Sequence, residues 1–341
     1  MAGLALAHRI LLGPLGLDVG EAVKDAHVGG QAVIEGVMMR GPARWTVTVR
    51  RADGALERLT TDYRGWAKKV PLLGKPFLRG ALVLLESMIV GVKALNFSAE
   101  IATADEQKAS ASQMEPPPTE AKEPKAKPWG FLSLALTLLA AFGLAMLLFV
   151  ALPHAGSVLL GQVMGFDESS AFFHILDGGL KFGLFISYVW AIGLIPEIDR
   201  VYAYHGAEHQ AIHTFEAGEP LTAEKAAHHP VCHPRCGTAF IFLVLALSIL
   251  VFAAIFPFFF TPQGASLSRT ILGILLKIAL MLPLAGLAYE VTRLAGQASS
   301  KSIWRILLWP GLLLQRLTTR RPDRPQLEVA LNALEQAVAP A

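Results

Sequence analysis

Gly130–Leu152 is 23 residues without a charged side chain. A helix of that length rises through the roughly 30 Å hydrocarbon core of a bilayer. Three later stretches are comparable. Ala239–Phe260 carries no charge, Phe172–Ile195 carries Asp177 and Lys181, and Thr270–Tyr289 carries Lys277 and ends at Glu290. The pattern predicts an α-helical integral membrane protein with about four transmembrane helices.

The composition agrees. Hydrophobic residues make up 53% of the chain and charged residues 17%, where soluble domains carry about 25% charged residues. A purely water-soluble globular chain and a chain disordered throughout are excluded. Two cysteines exclude a disulfide-rich scaffold, and a net charge of +3 makes no case for a nucleic-acid partner. The partner implied is the lipid bilayer, with room for a membrane-protein or peptide partner.

Lys and Arg counts orient the spans. Loop 153–171 has none, 196–238 has three, 261–269 has one, and the tail from Arg293 has seven. A multi-pass protein of the plasma (inner) membrane, with both termini cytoplasmic, satisfies that asymmetry. Four regions follow: an N-terminal cytoplasmic unit at 1–100, a disordered linker at 101–128, a membrane domain at 129–292 and an amphipathic cytoplasmic tail at 293–341.

The N-terminal unit, with 17 Lys+Arg and 14 Asp+Glu up to residue 129, has the charge density of soluble structure. WTVTVR at 45–50 alternates, Asp53-Gly54 signals a hairpin, and Ala55–Thr61 returns as its partner, so a small antiparallel sheet is expected. Gly29-Gly30 reads as turn or bulge glycines. Glu35 and Arg40 read as a local ion pair. Leu4–Leu17 suits a short amphipathic helix better than a signal peptide, and Arg64–Lys75 is a basic stretch that suits a headgroup-facing or solvated surface. Phe77–Phe97 is apolar but holds Arg79, Glu86 and Lys93, which makes it an amphipathic helix, buried in the domain or lying on the membrane. Ile303–Leu317 reads the same way. The linker, rich in Ala, Ser, Glu, Lys and Pro, cannot bury enough apolar surface to order itself.

Six of the ten histidines and both cysteines fall between 205 and 233 or just after, at Cys236. On a helix, His205, His209 and His213 recur every four residues and share one face. His205-Gly206-Ala207-Glu208-His209 is H-x-x-E-H, the inverted zincin pattern. Two imidazoles one turn apart can grip one zinc ion, and the carboxylate of Glu208 beside them suits a general base. A third ligand has to come from elsewhere. Candidates are His213, Cys232, His233, Cys236 and Glu290, with Arg235 an accessory that can bind a carbonyl or phosphate. The alternative is a polar helix face whose histidines satisfy buried groups.

GGQAVIEGVMMRGP at 29–42, YHGAEHQAIHTFE at 204–216, HPRCGT at 233–238, Tyr289-Glu290 and PGLLLQRLTT at 310–319 resemble the YqhQ family of bacterial membrane proteins. The resemblance implies a membrane setting and a metal-dependent enzyme of unknown reaction. Its motif positions correspond to His205, Glu208, His209, His233, Arg235, Cys236 and Glu290. A zinc hydrolase acting at the cytoplasmic face is therefore expected, the alternative being a scaffold or biogenesis protein whose metal, if any, is structural.

Overall fold

The computed structural model describes residues 28–63, 78–113, 129–166, 170–259, 267–297 and 304–339. The expected N-terminal amphipathic helix and the basic stretch at 64–75 lie outside these residues.

Four strands, β1 (Gly29–Val33), β2 (Gly36–Arg40), β3 (Arg44–Arg50) and β4 (Leu56–Asp62), form an antiparallel sheet in chain order. The hairpin anticipated at Asp53-Gly54 joins β3 to β4, with Gly54 at φ 85°. The tighter β1–β2 hairpin places Glu35 at φ 51°, a conformation that favours glycine. Its carboxylate does not pair with Arg40. It accepts from Arg200 at 2.6 Å and from the Tyr204 hydroxyl at 3.2 Å, contacts that offset the backbone cost. Arg40 instead donates to Tyr63 at 2.7 Å, beside Glu86.

Both sheet faces are covered, which is why β2 and β3 are buried almost throughout instead of alternating. Helix α1 (Leu78–Gln113) covers one face, where Val33, Met38, Trp45, Val47 and Val49 meet Val90, Ala94 and Ile101. The other face receives α5 (Pro196–Glu216) and α10 (Arg324–Val338), packing Val37 and Met39 against Tyr204, Ala211, Leu331 and Leu334. Each fully buried Val or Leu contributes about 1.5–3 kcal/mol. A capping box closes the start of α10, Asp323 accepting from the Gln326 N–H at 2.8 Å and Gln326 Oε1 from the Asp323 N–H at 3.0 Å.

Two expectations need correction here. The linker expected at 101–128 starts later, because residues 101–113 continue α1. Ile101 is buried against the sheet, and Asp105 accepts from Arg51 and from the Ala52 N–H at 2.9 Å. Composition missed this because the ordering contacts come from a distant sheet. Residues 114–128 lie outside the described part. Similarly, 153–171 is not mainly a loop. Helix α2 (Trp129–Met146) passes through a π turn at Leu147–Ala151 into α3 (Leu152–Met164), which ends at Gly165 with φ 79°.

The remaining helices are α4 (Ala171–Ile192), the short α6 (Ala223–Ala226), α7 (Gly237–Phe259), α8 (Leu267–Gln297) and α9 (Trp304–Thr318). Among the described residues, five segments are long and apolar enough to cross a membrane: Leu82–Ser110, Leu139–Met164, Ala171–Ile192, Gly237–Phe256 and Leu275–Leu294. The chain is a multi-pass membrane protein. Four segments correspond to the anticipated spans, and the added one lies in α1. Inside the bundle, Asp177 pairs with Lys181 one turn along α4, as the spacing suggested, and lies 3.5 Å from His154 on α3.

Candidate metal centre

Pro196 opens α5 at its first turn, where Glu197 and Asp199 complement the positive end of the helix dipole. The helix then carries its histidines under the sheet and the segment that follows α9. Gly206 makes the second contact possible, since a Cβ there would stand 2.0 Å from the Arg320 carbonyl oxygen. That carbonyl segment is anchored by the Arg320 N–H donating to Tyr202 O at 2.9 Å.

His205 and His209 face each other with ring centroids 4.4 Å apart. His205 Nδ1 donates to Thr318 O at 2.8 Å and His209 Nδ1 to Val231 O at 2.5 Å. With Nδ1 committed, each ring presents its Nε2 lone pair, the usual posture of a metal-ligating imidazole. His205 Nε2 lies 3.2 Å from Cys236 Sγ. His209 Nε2 is buried and has no hydrogen-bond partner among the described residues. One donor atom from each of His205, His209 and Cys236 lies within 4.8 Å of the others. Burial alone would raise the Cys236 thiol, but the neighbouring His209 and Thr238 outweigh it and hold the pKa below its ordinary value. Thr238 contacts the sulfur through its hydroxyl at 3.2 Å and its N–H at 3.4 Å. Burial holds His209 neutral by lowering its pKa. Two imidazoles, of which His209 is held neutral by burial, with an acidified thiol form a donor set that suits a divalent cation such as zinc.

Glu208 is buried beside this triad, and burial pushes its pKa up to about 8, with His205 opposing the rise and Cys236 adding to it. Its carboxyl group lies against the backbone of Gly30, where a Cβ would meet Glu208 Cγ at 2.7 Å and Oε1 at 2.8 Å. Gly30 is therefore more than a turn residue. It is the floor on which Glu208 rests.

The other anticipated ligands do not join the triad. His233 groups with His213 and Glu216 instead, again with ligand atoms within 4.8 Å of one another. That second group is already committed internally. His213 Nε2 donates to Cys232 O at 3.0 Å, His233 Nε2 meets Glu216 at 3.4 Å, and Arg235 pairs with the same carboxylate. A guanidinium in place leaves little need for a second cation. Burial lowers both His213 and His233 to about 4. Glu290, a candidate third ligand, forms a forked pair with Arg79, with Nε–Oε1 at 2.7 Å, and belongs to neither group. The residue that stands with His205 and His209 is Cys236, one residue before α7. Cys232 also stands apart, half-buried.

Several supporting residues escaped the reading of the sequence. Gln315 is buried and clamps His233 through both backbone groups at 2.8 Å. The carbonyls of Thr318 and Val231 orient the two imidazoles, and Thr238 holds the thiol. Gln315 and Thr318 lie within PGLLLQRLTT and Thr238 within HPRCGT, so the motifs carried the signal while their pairing required the fold.

A family model described as "Protein of unknown function (DUF1385)" matches residues 75–340. The "Uncharacterized protein YqhQ" of Bacillus subtilis (strain 168) is 29% identical over 310 residues, which is 90% of this chain and 91% of that protein. No solved structure matches.

Proposed function

The chain belongs to the DUF1385 family, whose description carries no activity, and we propose from its own side chains that it is a zinc-dependent hydrolase of the plasma membrane. The observation that carries this reading is the triad. His205, His209 and Cys236 offer three converging donors, two with Nδ1 tied back to carbonyls and one a thiol held below its ordinary pKa. Three protein ligands leave a fourth position open, as in catalytic zinc sites. A zinc ion there would act as a Lewis acid and lower the pKa of water.

In this reading Glu208 is the general base. Burial sets its pKa at about 8, and a neighbouring divalent charge would favour the ionised form. The carboxylate then accepts the proton of an attacking water. Gly30 backs the carboxyl group and keeps its orientation. The Lys and Arg counts, three at 196–238 and seven in the tail from Arg293 against none at 153–171 and one at 261–269, support a cytoplasmic site with both termini on that side.

A second reading, a structural metal site in a scaffold protein, draws on burial, because His209 is 1% and Glu208 5% exposed. Metal analysis of the purified protein separates the possibilities. Wild type should hold one equivalent of zinc, lost in His205→Ala and His209→Ala. Glu208→Gln should keep the metal and its affinity yet lose hydrolysis across an ester, amide and phosphoester panel. A wild-type protein without stoichiometric divalent metal refutes both forms of the site. A zinc-loaded wild type inactive across that panel supports the scaffold.

A further inference from the structure

The sheet precedes every candidate span, yet it packs in one core with α5 and α10. Glu208 of α5 touches Gly30, and Thr48 of β3 donates to Asn332 of α10 at 3.3 Å. Elements in one core lie on one side of a membrane, so the chain must cross an even number of times between them. Among the described residues there are two candidate segments from α5 to α10, Gly237–Phe256 and Leu275–Leu294. From the sheet to α5 there are three, Leu82–Ser110, Leu139–Met164 and Ala171–Ile192. At least one of these three does not cross.

The packing of α1 identifies it. Glu86, Val90, Ala94, Ile101 and Asp105 lie on one stripe against the sheet, with Glu86 beside Tyr63 and Asp105 paired to Arg51. A helix clasped along five turns by a sheet with charged edges cannot stand in hydrocarbon. Its opposite stripe is apolar too. Leu85, Met88, Ile89, Val92 and Leu95 are 38–67% exposed and recur at helical spacing, half a turn around from the sheet contacts. The N-terminal end is fastened where a span finishes. Arg79 pairs with Glu290, and Gly80 lies close enough to α8 that a Cβ would stand 2.8 Å from Tyr289 Cβ and 3.1 Å from Gly286 Cα. Near there the lipid-facing surface of α8 continues through Leu282 and Leu294, both exposed.

We propose that α1 lies in the plane of the membrane, with Leu85, Met88, Val92 and Leu95 embedded at the boundary between headgroups and acyl chains and the sheet riding on its other face. The occupant of the stripe is the bilayer surface, and the chain crosses four times. This does not depend on the metal reading. The flank of α1 carrying Lys93, Asn96 and Glu100, all exposed, then faces the headgroups and water.

The test is spin-label depth on the full chain in phosphatidylcholine/phosphatidylglycerol vesicles, in a Cys232→Ser background that keeps the buried Cys236. Labels at Leu85→Cys, Met88→Cys, Val92→Cys and Leu95→Cys should show one shallow depth within about 5 Å, reachable by oxygen more than by a nickel chelate. A crossing helix would drift by about 15 Å over those ten residues and overturn the proposal. Labels shielded from both reagents would mean a protein covers the stripe, and labels open to the chelate would mean water does; either also overturns it. A second readout uses an impermeant thiol reagent on sealed vesicles. Asp53→Cys and Met164→Cys should react from opposite sides, whereas reaction from the same side would put α1 through the bilayer.

Discussion

Replacing Glu208 by Gln should stabilise the metal-free protein at alkaline pH. The carboxyl is buried against Gly30, and its folded pKa of about 8 stands well above the ordinary 4.5. The sign follows from proton binding. Below pH 4.5 the group is protonated whether folded or unfolded and costs nothing. Between 4.5 and 8 the unfolded chain releases the proton while the folded chain retains it, so stability falls as pH rises. Above 8 the loss levels off. Each pKa unit is about 1.36 kcal/mol, so the 3.5-unit gap corresponds to about 5 kcal/mol at most. Glutamine keeps the shape and removes the charge. Pulse proteolysis of chelator-treated protein in mild detergent, from pH 5 to 8.5, reads the difference between the two chains. The gap should be under about 1 kcal/mol at pH 5 and reach about 4 kcal/mol at pH 8. Other titrating groups are common to both chains and cancel. Superimposed profiles would refute the burial argument. Zinc should close the gap, because a cation beside the carboxylate supplies the charge that burial withholds.

Cys236→Ser should abolish zinc retention measured by elemental analysis, while Glu290→Gln should leave it intact; loss of zinc on the second would return Glu290 to the ligand set. Gly206→Ala forces a Cβ to within 2.0 Å of Arg320 O, and overpacking of this kind costs about 1–3 kcal/mol, so its folded fraction should melt earlier in a detergent thermal-shift assay, and an unchanged midpoint would show that the 319–322 segment yields freely. Asp177→Asn removes the carboxylate shared by Lys181 and His154; breaking a buried pair costs about 3–5 kcal/mol, which should appear as aggregation on size-exclusion chromatography that Asp177→Glu largely avoids.

Local patterns carried much of this architecture. Alternation at 45–50 and the Asp53-Gly54 turn produced β3 and β4, and uncharged runs marked the spans. His205 and His209 were legible as a pair because helical spacing alone places them on one face. The third donor was not. Cys236, His233 and Glu290 were equal candidates until the fold turned His233 toward Glu216 and Arg79 toward Glu290. Such choices depend on distant elements meeting, as does the order in 101–113, whose polar composition hides the contact of Asp105 with Arg51. Gly30 illustrates the same limit, since nothing near it in the chain announces a carboxyl group 178 positions later.

The core that backs the triad draws on residues near both ends of the chain, from Val28 to Ala337. His205 takes its orienting carbonyl from Thr318, 113 residues downstream. During synthesis the spans can therefore enter the membrane while α5 waits with one face bare, the sheet able to dock but α10 still inside the ribosome. Only when Leu327 to Ala337 emerge does the last wall arrive. The histidines pass that interval more open than they are once α10 docks, and under the zinc proposal that is when an ion would reach them most easily.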